Sequence, residues 1–321
     1  MHARCKVLVT ATNYSLYCAE GKRMLEEAGC EIVENRLGRP HTREELLPLV
    51  GDIDAVVAGV DTWDETVFEH APRLRHIARF GVGIDNIDLA AAAARGIQVT
   101  NAPAGNSNAV AELTVGLILS LLRNIPALQQ SAKRGYWDRK IGQELAGKTV
   151  GLLGFGNIAR MVARKLQGFE VELLAYDKYP NAAAARDLGV RLVEADEVLQ
   201  QSDIVSMHLP SLPETRRMMS DRQFGLMKRS AHFVNTARGA LVDEQALHRA
   251  LTEGTIAGAA IDVYEQEPVS ADNPLLALDA LLATPHTAAE TIETYHRVGL
   301  VTAQAIIDSI AGRQPAHLLY P

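Results

Sequence analysis

Short apolar, β-branched runs alternate along this chain with amphipathic or alanine-rich stretches from one end to the other, the pattern of parallel strands joined by crossover helices. In the first hundred residues the runs predict strands at Lys6–Val9, Glu31–Glu34, Asp54–Ala58, His76–Arg79 and Gln98–Thr100. Helices fill the gaps: Gly21–Ala28 stops at Gly29, Thr42 caps a segment with Glu44 and Glu45 in its first turn, and Asp88–Arg95 ends at Gly96. After Asn101-Ala102-Pro103 the long helical run Ala109–Arg123 reads as a connector between lobes. A second series of strands follows at Thr149–Leu153, Glu172–Tyr176, Arg191–Val193, Asp203–Met207, His232–Asn235, Gly258–Ile261 and Leu281–Ala283. A final helix, roughly Thr287–Ala311, needs an apolar face buried, and the first lobe is the expected place. The reading is therefore α/β, with two doubly wound parallel-sheet domains: a discontinuous one of residues 1–101 and 287–321, and one of residues 102–286.

Composition narrows the function classes. With 39 acidic and 32 basic residues the net charge is −7, which gives no field to draw nucleic acid or an anionic membrane. The three cysteines, Cys5, Cys18 and Cys30, are odd in number and lack a C-x-x-C spacing, so they read as buried free thiols in a reducing compartment. No leader is visible at the N-terminus, and the longest apolar run, Val115–Leu122, is far short of the ~20 residues of a span. The cytoplasm is the expected location. No His/Cys/Asp cluster has metal-ligand spacing, so no metal is expected.

The predicted strand Thr149–Leu153 runs into Gly154-Phe155-Gly156-Asn157-Ile158-Ala159 and then helix. Gly154 permits the tight turn, Gly156 lets backbone approach a pyrophosphate, and the helix N-terminus offers that anion its N–H groups. A glycine triplet alone is a weak signal. Asp177 strengthens it, because it ends the next strand 23 residues beyond Gly154, near the ~20 expected of a carboxylate that binds an adenosine ribose. Such an acid favours NAD over NADP. The second domain is thus read as a Rossmann-type NAD-binding domain and the first as a flavodoxin-like substrate domain.

Ligands of open parallel sheets gather beyond the carboxyl ends of strands. Three such ends carry chemistry: Asn235-Thr236-Ala237-Arg238-Gly239, Ile261-Asp262, and Thr284-Pro285-His286. Singly, Arg238 reads equally as a surface ion-pair partner, Asp262 as a helix cap and His286 as a turn histidine. Together with Arg79-Phe80-Gly81-Val82-Gly83-Ile84-Asp85-Asn86-Ile87-Asp88, Asn101-Ala102-Pro103, Val110-Ala111-Glu112, Ser206-Met207-His208-Leu209-Pro210, Val263-Tyr264 and Glu267-Pro268, they make almost the whole chain resemble the D-isomer-specific 2-hydroxyacid dehydrogenases. The resemblance implies that Arg238, Glu267 and His286 stand at the family's catalytic Arg, Glu and His positions. It also implies nicotinamide contact from Asp262, and further cofactor contacts at Asn157, Ile158, His208, Leu209, Thr236, Ala237 and Ala288.

That chemistry asks for those residue types. Oxidising a 2-hydroxy acid needs a base for the hydroxyl proton, which suits His286; Glu267 orients the imidazole, and Arg238 holds the substrate carboxylate bidentately. Val82 and Gly83 are expected to supply backbone N–H groups to that carboxylate from the first domain, with closure of the lobes completing the site. The expected function is NAD-dependent interconversion of a small D-2-hydroxy acid and its 2-keto acid, akin to phosphoglycerate dehydrogenase or to hydroxypyruvate and glyoxylate reductases. A nicotinamide-sensing binding protein of the corepressor type is the alternative. The sequence departs from the phosphoglycerate-type pattern at Ala58-Gly59-Val60-Asp61, where a carboxylate replaces the usual phosphate-binding arginine; Asp61 is read as facing a hydroxyl or ammonium group, or as a helix cap. The family implies a homodimer through the NAD-binding domain, with Ala109–Arg123 in the interface.

Overall fold

The continuous apolar runs are strands in the computed structural model, which describes residues 5–320. Two compact units result, Met1–Asn106 with Ala289–Pro321, and Ser107–Ala288. The first contains β1 (Lys6–Val9), β2 (Glu31–Glu34), β3 (Ala55–Ala58), β4 (His76–Arg79) and β5 (Gln98–Thr100), parallel in the order β2-β1-β3-β4-β5. That order is flavodoxin-like. Successive residues of a strand face opposite sides, so Val7, Val9, Val57 and Ala78 pack against the layer containing Leu25, Tyr295 and Ile306, while Leu8, Val56, Ile77 and Val99 pack against Trp63 and Phe68.

The second unit contains β6 (Thr149–Leu153), β7 (Glu172–Tyr176), β8 (Val190–Leu192), β9 (Ile204–Met207), β10 (His232–Asn235), β11 (Gly258–Ile261) and β12 (Leu281–Ala283). All are parallel, in the order β8-β7-β6-β9-β10-β11-β12, a Rossmann sheet with one added strand. Strands β9, β10 and β11 are buried along their whole length because helices cover both faces, which explains their unbroken apolar character.

Register sets the site. Leu153 pairs with Met207, so the Gly154 turn and His208 leave the sheet side by side. Asn235 pairs with Ile261 and Ile261 with Ala283, so Thr236, Asp262 and Thr284 emerge as neighbours along one edge.

Four expectations need correction. The helix expected at Ala109–Arg123 is Ser107–Leu122, and it packs on the helix Asn157–Leu166 as part of the core of the second unit, not as a connector. Residues 102–106 stay with the first unit, where the Ala102 N–H donates to the Gly81 carbonyl at 2.9 Å. The last helix begins at Ile292, five residues late, because the Thr291 hydroxyl caps it by accepting from the Thr294 N–H. The first sheet is not wholly parallel, since the tail Leu318–Tyr320 returns as an antiparallel strand beside β5. No single helix among the described residues is long and apolar enough to cross a membrane.

His76 on β4 is buried, with Nε2 3.0 Å from the Thr100 hydroxyl, and burial pushes its pKa down to about 4. The unfolded chain binds this proton near pH 6.5 and the folded chain only near 4, so stability is complete above 6.5 and lost as the pH falls toward 4. Denaturant titrations should show a loss on the order of 3 kcal/mol across that window, a slope that His76→Gln flattens; an unchanged slope in the variant refutes the assignment.

Candidate active site

The turn that leaves β6 is shaped by a close approach. Gly154 has φ +99°, and a Cβ there would lie 2.7–2.9 Å from the backbone of His208 and Leu209, so only glycine lets the β6 and β9 ends meet. Above Gly156 a Cβ would meet nothing within 4 Å, and no side chain caps the helix Asn157–Leu166 that follows. The first-turn N–H groups at Asn157 and Ile158 therefore face open space, the cradle a pyrophosphate requires. Asp177 at the end of β7 accepts the Phe155 N–H at 2.7 Å and the Tyr179 N–H at 2.8 Å, which ties the expected ribose carboxylate to the glycine turn. Arg160, which the sequence reading passed over, donates from Nε to the Phe155 carbonyl at 3.0 Å and braces the same turn. These residues fit a dinucleotide. The neighbouring Lys178 pairs with Glu214 at 3.3 Å.

Further along the edge, His208 is neutral at physiological pH, since burial pushes it down to about 4, and its Nε2 lies 2.9 Å from the Ser206 hydroxyl. Leu209 is buried beside it, and the Thr236 hydroxyl meets that of Thr114 at 2.8 Å. Asn235 closes the β10 turn on itself: Oδ1 accepts the Ala237 N–H at 3.0 Å and Nδ2 donates to the Arg238 carbonyl at 2.9 Å. Gly239 then passes so close to Tyr264 that a Cβ would lie 1.9 Å from the Tyr264 carbonyl, which locks the arginine-bearing turn against the segment leading to Glu267.

The titratable groups meet at Glu267. Its Oε2 lies 2.6 Å from His286 Nδ1, and its Oε1 accepts the Tyr264 N–H at 2.9 Å. Burial pushes this carboxyl up, but the His286 hydrogen bond and charge, the Tyr264 N–H and the Arg238 guanidinium outweigh it and hold the pKa below the usual glutamate value. With Nδ1–H donated to this carboxylate, the His286 Nε2 is the ring nitrogen that the pair does not use. Glu265, two residues before Glu267, is engaged with Arg217 at 2.6 Å.

His286 itself has φ +50°, an unusual conformation for a non-glycine residue, and the turn that holds it is built on Asp262. The Asp262 side chain is buried and accepts from the Thr284 hydroxyl at 2.6 Å, the Thr287 N–H at 2.8 Å and the Ala288 N–H at 2.9 Å. The Asp262 carbonyl accepts the His286 N–H at 2.7 Å. Burial raises the Asp262 pKa, with those hydrogen bonds working against the rise. Asp262 and Ala288, read from sequence as cofactor contacts, are thus bonded to each other, and two of the three acceptor bonds fall on Oδ1. Tyr264 adds a bond the sequence did not announce, from its hydroxyl to the Thr284 carbonyl at 3.0 Å.

In the first unit, the loop holding Val82 and Gly83 is tied by its carbonyls: Asn101 Nδ2 donates to Val82 at 2.8 Å and Arg79 Nε to Gly83 at 2.8 Å. The Val82 and Gly83 N–H groups donate to nothing among the described residues, which leaves them available to an anion. Asp61 caps no helix. Asp64 caps Glu65–Glu69, whereas Asp61 is buried, accepts the His41 N–H at 2.6 Å, and holds Oδ2 without a hydrogen-bond partner among the described residues. Among the described residues no group of three or more side chains is arranged to hold a metal.

If Asp262 is the brace of the His286 turn, Asp262→Ala strips three donors of their acceptor. Chemical denaturation should then show a loss of about 3 kcal/mol, and unchanged unfolding would show that the turn does not depend on it.

Comparison with known proteins agrees with this geometry. The family model described as D-isomer specific 2-hydroxyacid dehydrogenase, NAD binding domain, matches residues 115–288, so NAD is the cofactor of the second unit. The chain is 42% identical over 311 residues to a D-3-phosphoglycerate dehydrogenase of Methanocaldococcus jannaschii, covering 96% of this chain and 58% of that protein. It is 38% identical over 325 residues to a glyoxylate reductase of Thermofilum pendens, covering 99% and 95%. The apo structure of D-lactate dehydrogenase from Escherichia coli superposes with a TM-score of 0.87 at 30% identity, covering 98% of this chain and 99% of that one. The chain spans about half the length of the curated phosphoglycerate dehydrogenases it matches. Sheet order, glycine turn and family match converge: this chain belongs to the D-isomer specific 2-hydroxyacid dehydrogenase family.

Proposed function

We propose that this chain is an NAD-dependent oxidoreductase that interconverts a small D-2-hydroxy acid and its 2-keto acid. The observation that carries the reading is the His286–Glu267 pair, 2.6 Å apart, with Arg238 close enough to act on the same carboxylate. When bound along Gly154, Gly156 and Asp177, the nicotinamide cofactor supplies the hydride acceptor for oxidation and, reduced, the donor for the reverse. His286 Nε2 takes the hydroxyl proton in oxidation and returns it to the carbonyl oxygen in reduction. Glu267 keeps the imidazole oriented and balances its positive charge. Arg238 pairs with the substrate carboxylate and polarises the reacting oxygen. Residues 58–61 hold Asp61 and no Lys or Arg, which favours an uncharged substrate side chain over a phosphate.

NADH absorbance followed against glyoxylate, hydroxypyruvate, pyruvate and 3-phosphohydroxypyruvate tests this. The unphosphorylated acids should turn over best. His286→Ala should cut kcat by about 10²–10⁴ with NADH still bound, and Arg238→Ala should raise KM for the keto acid as well. Full turnover in both variants would reject the reading.

The same proposal includes a homodimer formed through the NAD-binding unit. Support comes from the helix Ser107–Leu122, which leaves Leu113, Val115, Leu119 and Leu121 only partly covered, and from the segment after it, where Trp137 is 91% and Ile141 93% exposed. Bulky apolar side chains bare to that degree suit a second copy of the chain. Sedimentation velocity should report a dimer that dissociates in the Trp137→Asp/Ile141→Asp double variant; a monomeric wild type refutes it.

A further inference from the structure

Cys5 and Cys30 lie one residue before β1 and β2. The parallel register pairs Lys6 with Glu31, and the Glu31 N–H donates to the Cys5 carbonyl at 2.8 Å, so Cys5 and Cys30 stand laterally opposite, one residue before the first registered pair. Both belong to the same core layer as Val7, Val9 and Ile32, hence both side chains leave the same face of the sheet. Neighbouring strands are about 4.8 Å apart, inside the roughly 4.4–6.8 Å window of Cα separations that a disulfide bridges. Cys30 also lines a solvent-open groove of about 920 Å³, together with Lys22, Ile32, His41 and Leu49, which gives a small oxidant a route to its sulfur. Cys18 is buried, as Cys30 is, but it stands alone at the start of the helix Ala19–Glu27, where its thiol donates to the Tyr295 carbonyl at 3.1 Å.

We propose that Cys5 and Cys30 form a dithiol that a peroxide oxidises to an intramolecular disulfide, with Cys30 as the attacking sulfur and Cys5 as the resolving one. The electrostatics agree. The interaction between the two thiols pulls Cys30 down and pushes Cys5 up, while burial and Asp54 push both up. Cys18, by contrast, is pushed up to about 12 by burial. In the first step the Cys30 thiol ionises and its thiolate attacks one peroxide oxygen, the O–O bond breaks, and the departing hydroxide takes up the proton that the thiol released to become water. In the second step the Cys5 sulfur attacks the resulting sulfenic acid, the S–O bond breaks, and the leaving hydroxide takes the Cys5 proton as a second water. The two sulfurs lose two electrons and the peroxide gains them.

Treating the intact protein with hydrogen peroxide, alkylating residual thiols and mapping peptides without reductant tests the proposal. Cys5 and Cys30 should disappear together, about 10-fold or more faster than Cys18, and reappear as one cross-linked peptide pair that dithiothreitol releases. In Cys5→Ser the bridge should be absent and Cys30 should be captured by dimedone. Loss of all three thiols at one rate overturns the proposal, as does oxidation of Cys5 and Cys30 without a link between them; both are read on the wild type, whatever the fate of the variant.

Discussion

The buried side chain of Asp262 is the constraint on which the turn around His286 rests. A backbone at φ +50° does not hold a histidine by itself; it persists because the surrounding bonds leave it no alternative. Asp262 provides those bonds with both its carbonyl and its side chain, gripping residues 284, 286, 287 and 288. His286 is thereby carried on a turn anchored to the end of β11, an interior strand, and not on a free loop, the arrangement that holds a side chain in one position.

Much of this was legible in the sequence because strands of a doubly covered sheet are short and apolar throughout, so β1, β2, β4, β5, β6, β7, β10, β11 and β12 have the bounds that their apolar runs predict. The glycine turn was legible for a different reason: its spacing to Asp177 is fixed by one crossover helix and one strand. What escaped depends on tertiary partners. Nothing local in Thr287–Thr291 says that it is not helix, since the N–H groups of Thr287 and Ala288 are captured by an acid some 25 residues earlier. The tail strand escaped because three residues carry too little period to be distinguished from a coil, and only the open edge of β5 gives them a ladder.

The candidate site divides along the same line. Arg238, Glu267 and His286 could be named from motif resemblance, and their shared electrostatics around Glu267 follow from strand ends that the register brings together. Supporting bonds from Tyr264, Thr284, Asn235 and Arg160 were not named, because such residues are ordinary at the level of sequence and acquire their part only through a partner distant in the chain.

The contact between Gly239 and Tyr264 has an evolutionary corollary. With main chain touching main chain, the two segments form a single solid piece, and neither tolerates insertions or bulkier residues without displacing the other. Diversification of substrate preference is thereby channelled away from the reacting groups, toward surfaces whose loops can be rewritten while the redox machinery is inherited unchanged.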